Sequence, residues 1–166
     1  MDTAAHVSLA GEGLSWASFS AEAPALAAAG ERLLRGGQGI AYLATVRKDG
    51  GPRVHPVAPV LAPGGLYVFV VNLGWKYRDL KRDGRYALHS AAGADGGEEF
   101  YVTGPATESD DADERAAVRE ASGGRLGGHE FEALFRLEVE RALHTFWEGW
   151  GTAQTWPRFG KWSARH

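Results

Sequence analysis

The period of the apolar positions changes near residue 40. Leu26, Ala29 and Leu33 fall on one helical face with Leu34 beside them. This spacing predicts a helix opened by Ser20 as cap, with Glu22 in its first turn, and ended at Gly36–Gly37. Gly30 interrupts the pattern. From residue 40 the period drops to two. Ile40, Tyr42, Ala44 and Val46 alternate with Ala41, Leu43 and Thr45. Both sets are largely apolar, so this strand is expected to be central. "KDGG" then supplies a tight hairpin turn, and "PRVHPVAPV" returns as the partner strand. That strand is interrupted or bulged, because Pro56 and Pro59 have no amide to donate.

Past the turn "APGG", "LYVFVVN" reads as a third strand, rich in aromatic and β-branched residues. "WKYRDLKRD" suits a short helix with Tyr77 and Leu80 on one face. "RYALHS" and "EFYVTGPAT" read as the fourth and fifth strands, the fifth broken at Gly104–Pro105. "DDADERAAVREAS" predicts a helix with an acidic first turn. Residues 134–147 predict a sixth strand, since Val139, Thr145 and the aromatics fit a half-buried surface. The connections are too short for repeated parallel crossovers. Antiparallel strands cover their edges by closing up. The expected fold is therefore mainly β: a small, six-stranded antiparallel barrel with small flanking helices. One domain over 20–166 follows an N-terminal arm at 1–19.

Composition narrows the chemistry. With 18 basic against 21 acidic residues, the net charge of -3 gives no general attraction to nucleic acid or to an anionic membrane. No cysteine is present, which removes disulfides, thiolate nucleophiles and cysteine metal sites. The longest apolar run, near "LYVFVV", is too short to span a bilayer. The N-terminus shows no basic region followed by an apolar core, so a cytoplasmic location is expected. The histidines lack metal-ligand spacing with a carboxylate, and no metal site is expected. No nucleophile elbow, Walker lysine motif or dinucleotide fingerprint appears.

One local feature stands against the acidic background. Lys76, Arg78, Lys81, Arg82 and Arg85 crowd a single short stretch. Lys76 falls at the mouth of a loop-to-helix turn, where free amides and the helix start favour an anion. Arg78, Lys81 and Arg82 suit either a phosphate or a solvated face balanced by Asp79 and Asp83. Arg53 and His55 alternate on the returning strand and share a face, with Val54 and Pro56 on the other. Such a pair lines a polar pocket or an exposed strand face. Trp147, Trp150, Trp156 and Trp162 suit a subunit contact, a core, or a wall against a flat ring.

"YLATVRKDGGPRVHPVAPV", "LYVFVVNLGWKYRDLKRDGRYALHS" and "EFYVTGPAT", in this order and spacing, resemble the pyridoxamine 5'-phosphate oxidase-like, flavin-binding split-barrel family. The resemblance covers residues 39–107 best. It implies a split β-barrel and a homodimer holding FMN at its interface. Some relatives use a deazaflavin instead, and a few handle haem. Arg53, Val54, His55 and Pro56 match the strand facing the flavin and its phosphate. Phe69, Val70, Val71 and Asn72 match the strand edging the isoalloxazine ring. Lys76 matches the lysine set against the phosphate, and Arg78 and Lys81 match less uniformly used positions nearby. Thr103 and Gly104 match the strand where dimer and cofactor site close.

Two departures qualify this. The C-terminal arginine and histidine residues that bind substrate in the true oxidase have no counterpart in "WPRFGKWSARH". Trp75 stands where relatives often carry a small hydroxyl residue. The resemblance therefore implies an FMN-dependent oxidoreductase acting on a small molecule other than vitamin B6. The alternatives are a deazaflavin-dependent reductase, favoured by an open basic groove past Arg78 and Arg82, or a flavin- or haem-binding protein without turnover. For haem, His55 and His89 are the candidate axial ligands.

Overall fold

The computed structural model describes residues 13–92 and 96–164. Within them the chain forms four α-helices and nine strands, and every ladder is antiparallel. Helix α1 (Trp16–Glu22) is capped by Ser15, whose Oγ accepts from the Ser18 amide at 3.1 Å. Helix α2 (Pro24–Arg35) begins on a proline, where the missing amide is of no consequence. The single helix expected from Ser20 is thus two, because Ala23, held out of helical geometry ahead of Pro24, separates them. Trp16 and Phe19, expected in an arm, are buried, and residues 1–12 lie outside the described range. Gly30 is required inside α2, since the Phe100 ring occupies the place of its missing Cβ.

Strand β1 (Ala41–Val46) pairs with β2 (Pro52–Val57) across the turn at Gly50, whose φ is 84°. Next come β3 (Pro59–Ala62), β4 (Gly65–Val71), helix α3 (Trp75–Arg82), β5 (Arg85–Ser90) and β6 (Glu98–Ser109). Helix α4 (Ala112–Ala121), β7 (Glu132–Leu137), β8 (Arg141–Glu148) and β9 (Trp156–Ser163) complete the order. The hydrogen-bonded path runs β2-β1-β5-β6-β7-β4-β3, with β8 beside β6 and β9 beside β8. Its two ends, β2 and β3, are halves of one run broken only at Ala58. This gives the sheet a split-barrel-like arrangement.

Nine strands replace the expected six for identifiable reasons. The second expected strand divides at Ala58–Pro59, and its halves take different neighbours, β1 and β4. The sixth divides at 138–140. There Val139 turns away to bond with Leu14, amide to carbonyl in both directions, at 2.7 and 2.9 Å. Strand β9 was hidden by Pro157 and Gly160, which an edge strand tolerates. The break expected at Gly104–Pro105 is instead a change of partner within a continuous β6. Residues 98–103 pair with β8, and 106–109 with β7.

Leu43, Leu66, Val68, Val70, Leu88, Phe100, Val102 and Phe135 point inward and are buried, with Trp16, Phe19 and Leu34 closing one side. Each fully buried side chain of this size contributes about 1.5–3 kcal/mol. A smaller cluster of Val60, Tyr67, Val118 and Leu134 lies under α4. No helix among the described residues is long and apolar enough to cross a membrane.

Candidate anion- and cofactor-binding site

The β1–β2 register places the first two site residues. Arg53 stands opposite Thr45 and His55 opposite Leu43, and Thr45 and Leu43 are both buried. Arg53 and His55 therefore share the inward side of β2. Val54, 61% exposed, and Pro56 take the outer side. Helix α3 packs against β1, β4 and β6. Leu80 holds it to the core, with Tyr77 against Phe135. That seat sets Asp79, only 3% exposed, beneath Arg53. Asp79 Oδ2 accepts from Arg53 Nε at 2.8 Å and from Thr45 Oγ1 at 3.0 Å. Its Oδ1 accepts from both terminal nitrogens of Arg82 at 3.3 Å. Burial works to raise the Asp79 carboxyl, but these hydrogen bonds outweigh it and hold the group below its ordinary range.

The basic stretch splits into two sets. Lys81 pairs with Glu108 at 2.6 Å, Arg82 with Asp79, and Arg85 with Asp83 at 2.6 Å. Among the described residues, Lys76 and Arg78 have no carboxylate partner. Arg78 lies over the Trp75 ring, its Cζ 4.9 Å from the centroid, and Arg53 is 5.8 Å from the same ring. The N-cap of α3, Gly74, provides no side-chain cap, so the first amides of the helix keep their donors.

Lys76 is half-buried, and burial lowers its ammonium below the ordinary lysine range. His55 is lowered too, first by burial and then by the charges of Lys76 and Arg53, with Asp79 pulling weakly the other way. Its imidazole is therefore neutral at pH 7. Its Nε2 is buried and has no hydrogen-bond partner among the described residues. An orphaned acceptor or donor inside a protein is costly unless something else satisfies it. A cleft of about 750 Å³ opens at Arg53, and neither His55 nor Lys76 is among the residues that line it. Five cations (Arg47, Lys48, Arg53, Arg78 and Arg82) line it against two carboxylates, Asp49 and Asp79, so it carries a local surplus of three positive charges. Trp75, 63% exposed, forms its apolar wall.

Arg53 and Arg78 thus share the cleft, His55 lies within electrostatic reach of Arg53 and Lys76 outside its lining, and other expected residues are placed elsewhere. Lys81 is held by Glu108 on the far flank of α3. Val70 is in the barrel core, and Phe69 packs into the small cluster under α4, with Arg115 5.2 Å from its ring. Val71 is exposed, and the Asn72 amide donates to the Phe131 carbonyl. Thr103 and Gly104 lie where β6 changes partner. His89 Nδ1 is bonded to the Ser90 carbonyl. Trp162 packs on Phe19 at 4.9 Å, whereas Trp150 and Trp156 are exposed.

Sequence reasoning brought in Asp79 only as a balancing charge in the solvated-face alternative, and did not single out Arg47 and Lys48. A signal for Asp79 was present. It immediately precedes Leu80, on the flank of the helix that faces the barrel. No sequence pattern announced that Thr45 and Arg53 would meet it.

No protein-family model matches the chain, and no curated protein matches it. Solved structures do. A heme binding protein from Mycobacterium smegmatis superposes with a TM-score of 0.59 at 18% identity, over 75% of this chain and 52% of that one. This chain therefore spans about half the length of that relative. HutZ, the heme storage protein from Vibrio cholerae, gives a TM-score of 0.57 at 18% identity, over 71% of this chain and 89% of its own. A NimC/NimA family protein from Clostridium acetobutylicum gives 0.60 at 18% identity, over 82% and 92%. At these identities the likeness is one of fold alone.

Proposed function

We propose that this chain is a cofactor-dependent oxidoreductase whose basic corner holds the anionic tail of a flavin-type ring. A deazaflavin fits it better than FMN. One observation carries the reading. The cleft has a surplus of three positive charges and runs past Arg53, Arg78 and Arg82 along the Trp75 ring. A single phosphate needs two or three donors, whereas a longer anionic tail uses the whole groove. Lys76 and Arg53 anchor the first charge, and His55 faces the ring edge. The ring supplies the redox chemistry; the protein binds, orients and shields it. By resemblance to the pyridoxamine 5'-phosphate oxidase-like family, the working unit is a homodimer with cofactor sites at its interface and a small-molecule substrate. Exposed Tyr42 and Val54, neighbours across the outer β1–β2 face, suit such a contact.

A second reading rests on His55. A neutral imidazole with a buried, unpartnered Nε2 is the form an iron ligand takes, and two of the similar folds are named as haem proteins. Purified chain titrated with FMN, deazaflavin and hemin separates the readings. Tightest binding of deazaflavin, with reduction of an added acceptor, supports the lead. A Soret band lost in His55→Gln moves the assignment to haem. Failure to take up any of the three sinks both.

A further inference from the structure

Asp79 puts a negative charge at the wall of a cleft that otherwise favours anions. On Coulomb's law alone it is a liability there. Its contacts give it another use. Arg53 donates to it through Nε, at 2.8 Å. The two terminal nitrogens of Arg53 have no protein partner among the described residues, and the side chain lines the cleft. Arg82, by contrast, directs both terminal nitrogens at Asp79 and one of them also at the Val46 carbonyl. Arg82 thus acts as a counter-ion, and Arg53 keeps an unused donor edge. Thr45 fixes the carboxylate from a third side.

We propose that Asp79 is a positioning residue for anion binding: it holds Arg53 by Nε so that the terminal guanidinium edge faces the cleft before a ligand arrives. This rests on the reading of the cleft as an anion site. An exposed arginine loses rotamer freedom when it grips an anion, and a pre-ordered one has less to lose. With Arg53 and Arg82 both at Asp79, the trio still carries one net positive charge, so the order does not discharge the cleft.

The two views of Asp79 predict opposite signs. Inorganic pyrophosphate is the probe, titrated calorimetrically into the full chain as wild type, Asp79→Asn, Arg53→Gln and the double variant. Positioning predicts that D79N binds pyrophosphate at least about fivefold more weakly, and that D79N adds nothing once Arg53 is already glutamine. Equal or tighter binding by D79N overturns the proposal, as does a D79N loss that persists in full in the R53Q background. Should D79N fail to fold, the wild type alone decides through the Arg53 Nε–H resonance. Slow exchange relative to Arg78 supports the proposal, and equal exchange overturns it. Pyrophosphate carries no ring. A chain that binds it but takes no flavin, deazaflavin or haem retires the cofactor reading and leaves the role of Asp79 standing. A wild type that binds no pyrophosphate overturns that role whatever ring it takes.

Discussion

Lys81 donates to Glu108 over 2.6 Å, and this contact ties the outer flank of α3 to β6. Tyr77 reaches the same carboxylate at 3.3 Å. One turn earlier, Lys76 has no acidic partner among the described residues and is half-buried. Two lysines of one short helix therefore have different surroundings. Lys76→Met is expected to weaken binding of a phosphate-bearing flavin by about tenfold, the worth of one charge-assisted hydrogen bond. Lys81→Met should change it by less than about twofold, because an exposed pair of this kind contributes little. Fluorescence titration of both variants checks this, and equal losses would place Lys81 in the site after all.

Trp75 is the departure that most affects ligand choice. Its exposed indole carries Arg78 at 4.9 Å and Arg53 at 5.8 Å. These contacts tie both guanidiniums to one indole ring. Trp75→Ser removes the platform and supplies a hydroxyl at the first turn of α3. The ratio of FMN to deazaflavin affinity should rise by about threefold, in keeping with a cation–π contact of about 0.5–1 kcal/mol at an exposed site. An unchanged ratio would mean that the ring only covers apolar surface.

Much of the fold was legible because the residues that form it are neighbours in sequence. The hairpin at Gly50 and the alternation of Arg53 and His55 against Val54 and Pro56 are local patterns. The amphipathic turn around Tyr77 and Leu80 is local too. What escaped was decided by distant partners. Strand β6 looked broken at Gly104–Pro105 because glycine and proline punctuate most strands, yet here they mark a handover from β8 to β7. The site divides in the same way. Lys76 was singled out by its place at a helix start. Asp79 looked like one more solvated charge, because its donors, Thr45 and Arg53, come from strands more than twenty residues earlier.

His55 gives the chain a pH dependence of known sign. Burial first, and then the charges of Lys76 and Arg53, hold its imidazole below the ordinary range. In the unfolded chain the same group takes its proton near pH 6.5 (about the unperturbed value). Between that pH and the lower folded value, the unfolded state binds more protons. The contribution of His55 to stability is therefore complete above about pH 7.5 and is lost as pH falls through 6.5 toward the folded value. Urea unfolding of wild type and His55→Gln at about pH 7.5 and about pH 5.5 isolates it. The wild type should lose more stability on acidification than the variant. The opposite ordering would mean that the imidazole is charged in the folded chain.

Gly104 is where the split of the barrel is most sensitive to a single methyl group. At this residue β6 passes under the 138–140 crossing, and an added Cβ would overlap the Glu138 carbonyl oxygen. Backbone lies on both sides, so no flexible side chain can yield. Separating the two segments would stretch the bonds from the Glu138 amide to the Pro105 carbonyl, 3.0 Å, and from the Glu140 amide to the Thr103 carbonyl, 2.8 Å. Gly104→Ala should therefore lose about 3 kcal/mol from overpacking and weakened hydrogen bonds together. Gly64→Ala is the control, since Gly64 has a φ of 85° but open space around it. Its cost is conformational only, about 1–2 kcal/mol. Thermal unfolding of the two variants compares the terms. A drop in Tm for G104A no larger than for G64A would show that β6 and the crossing have room to separate, and that the change of partner does not depend on this close approach.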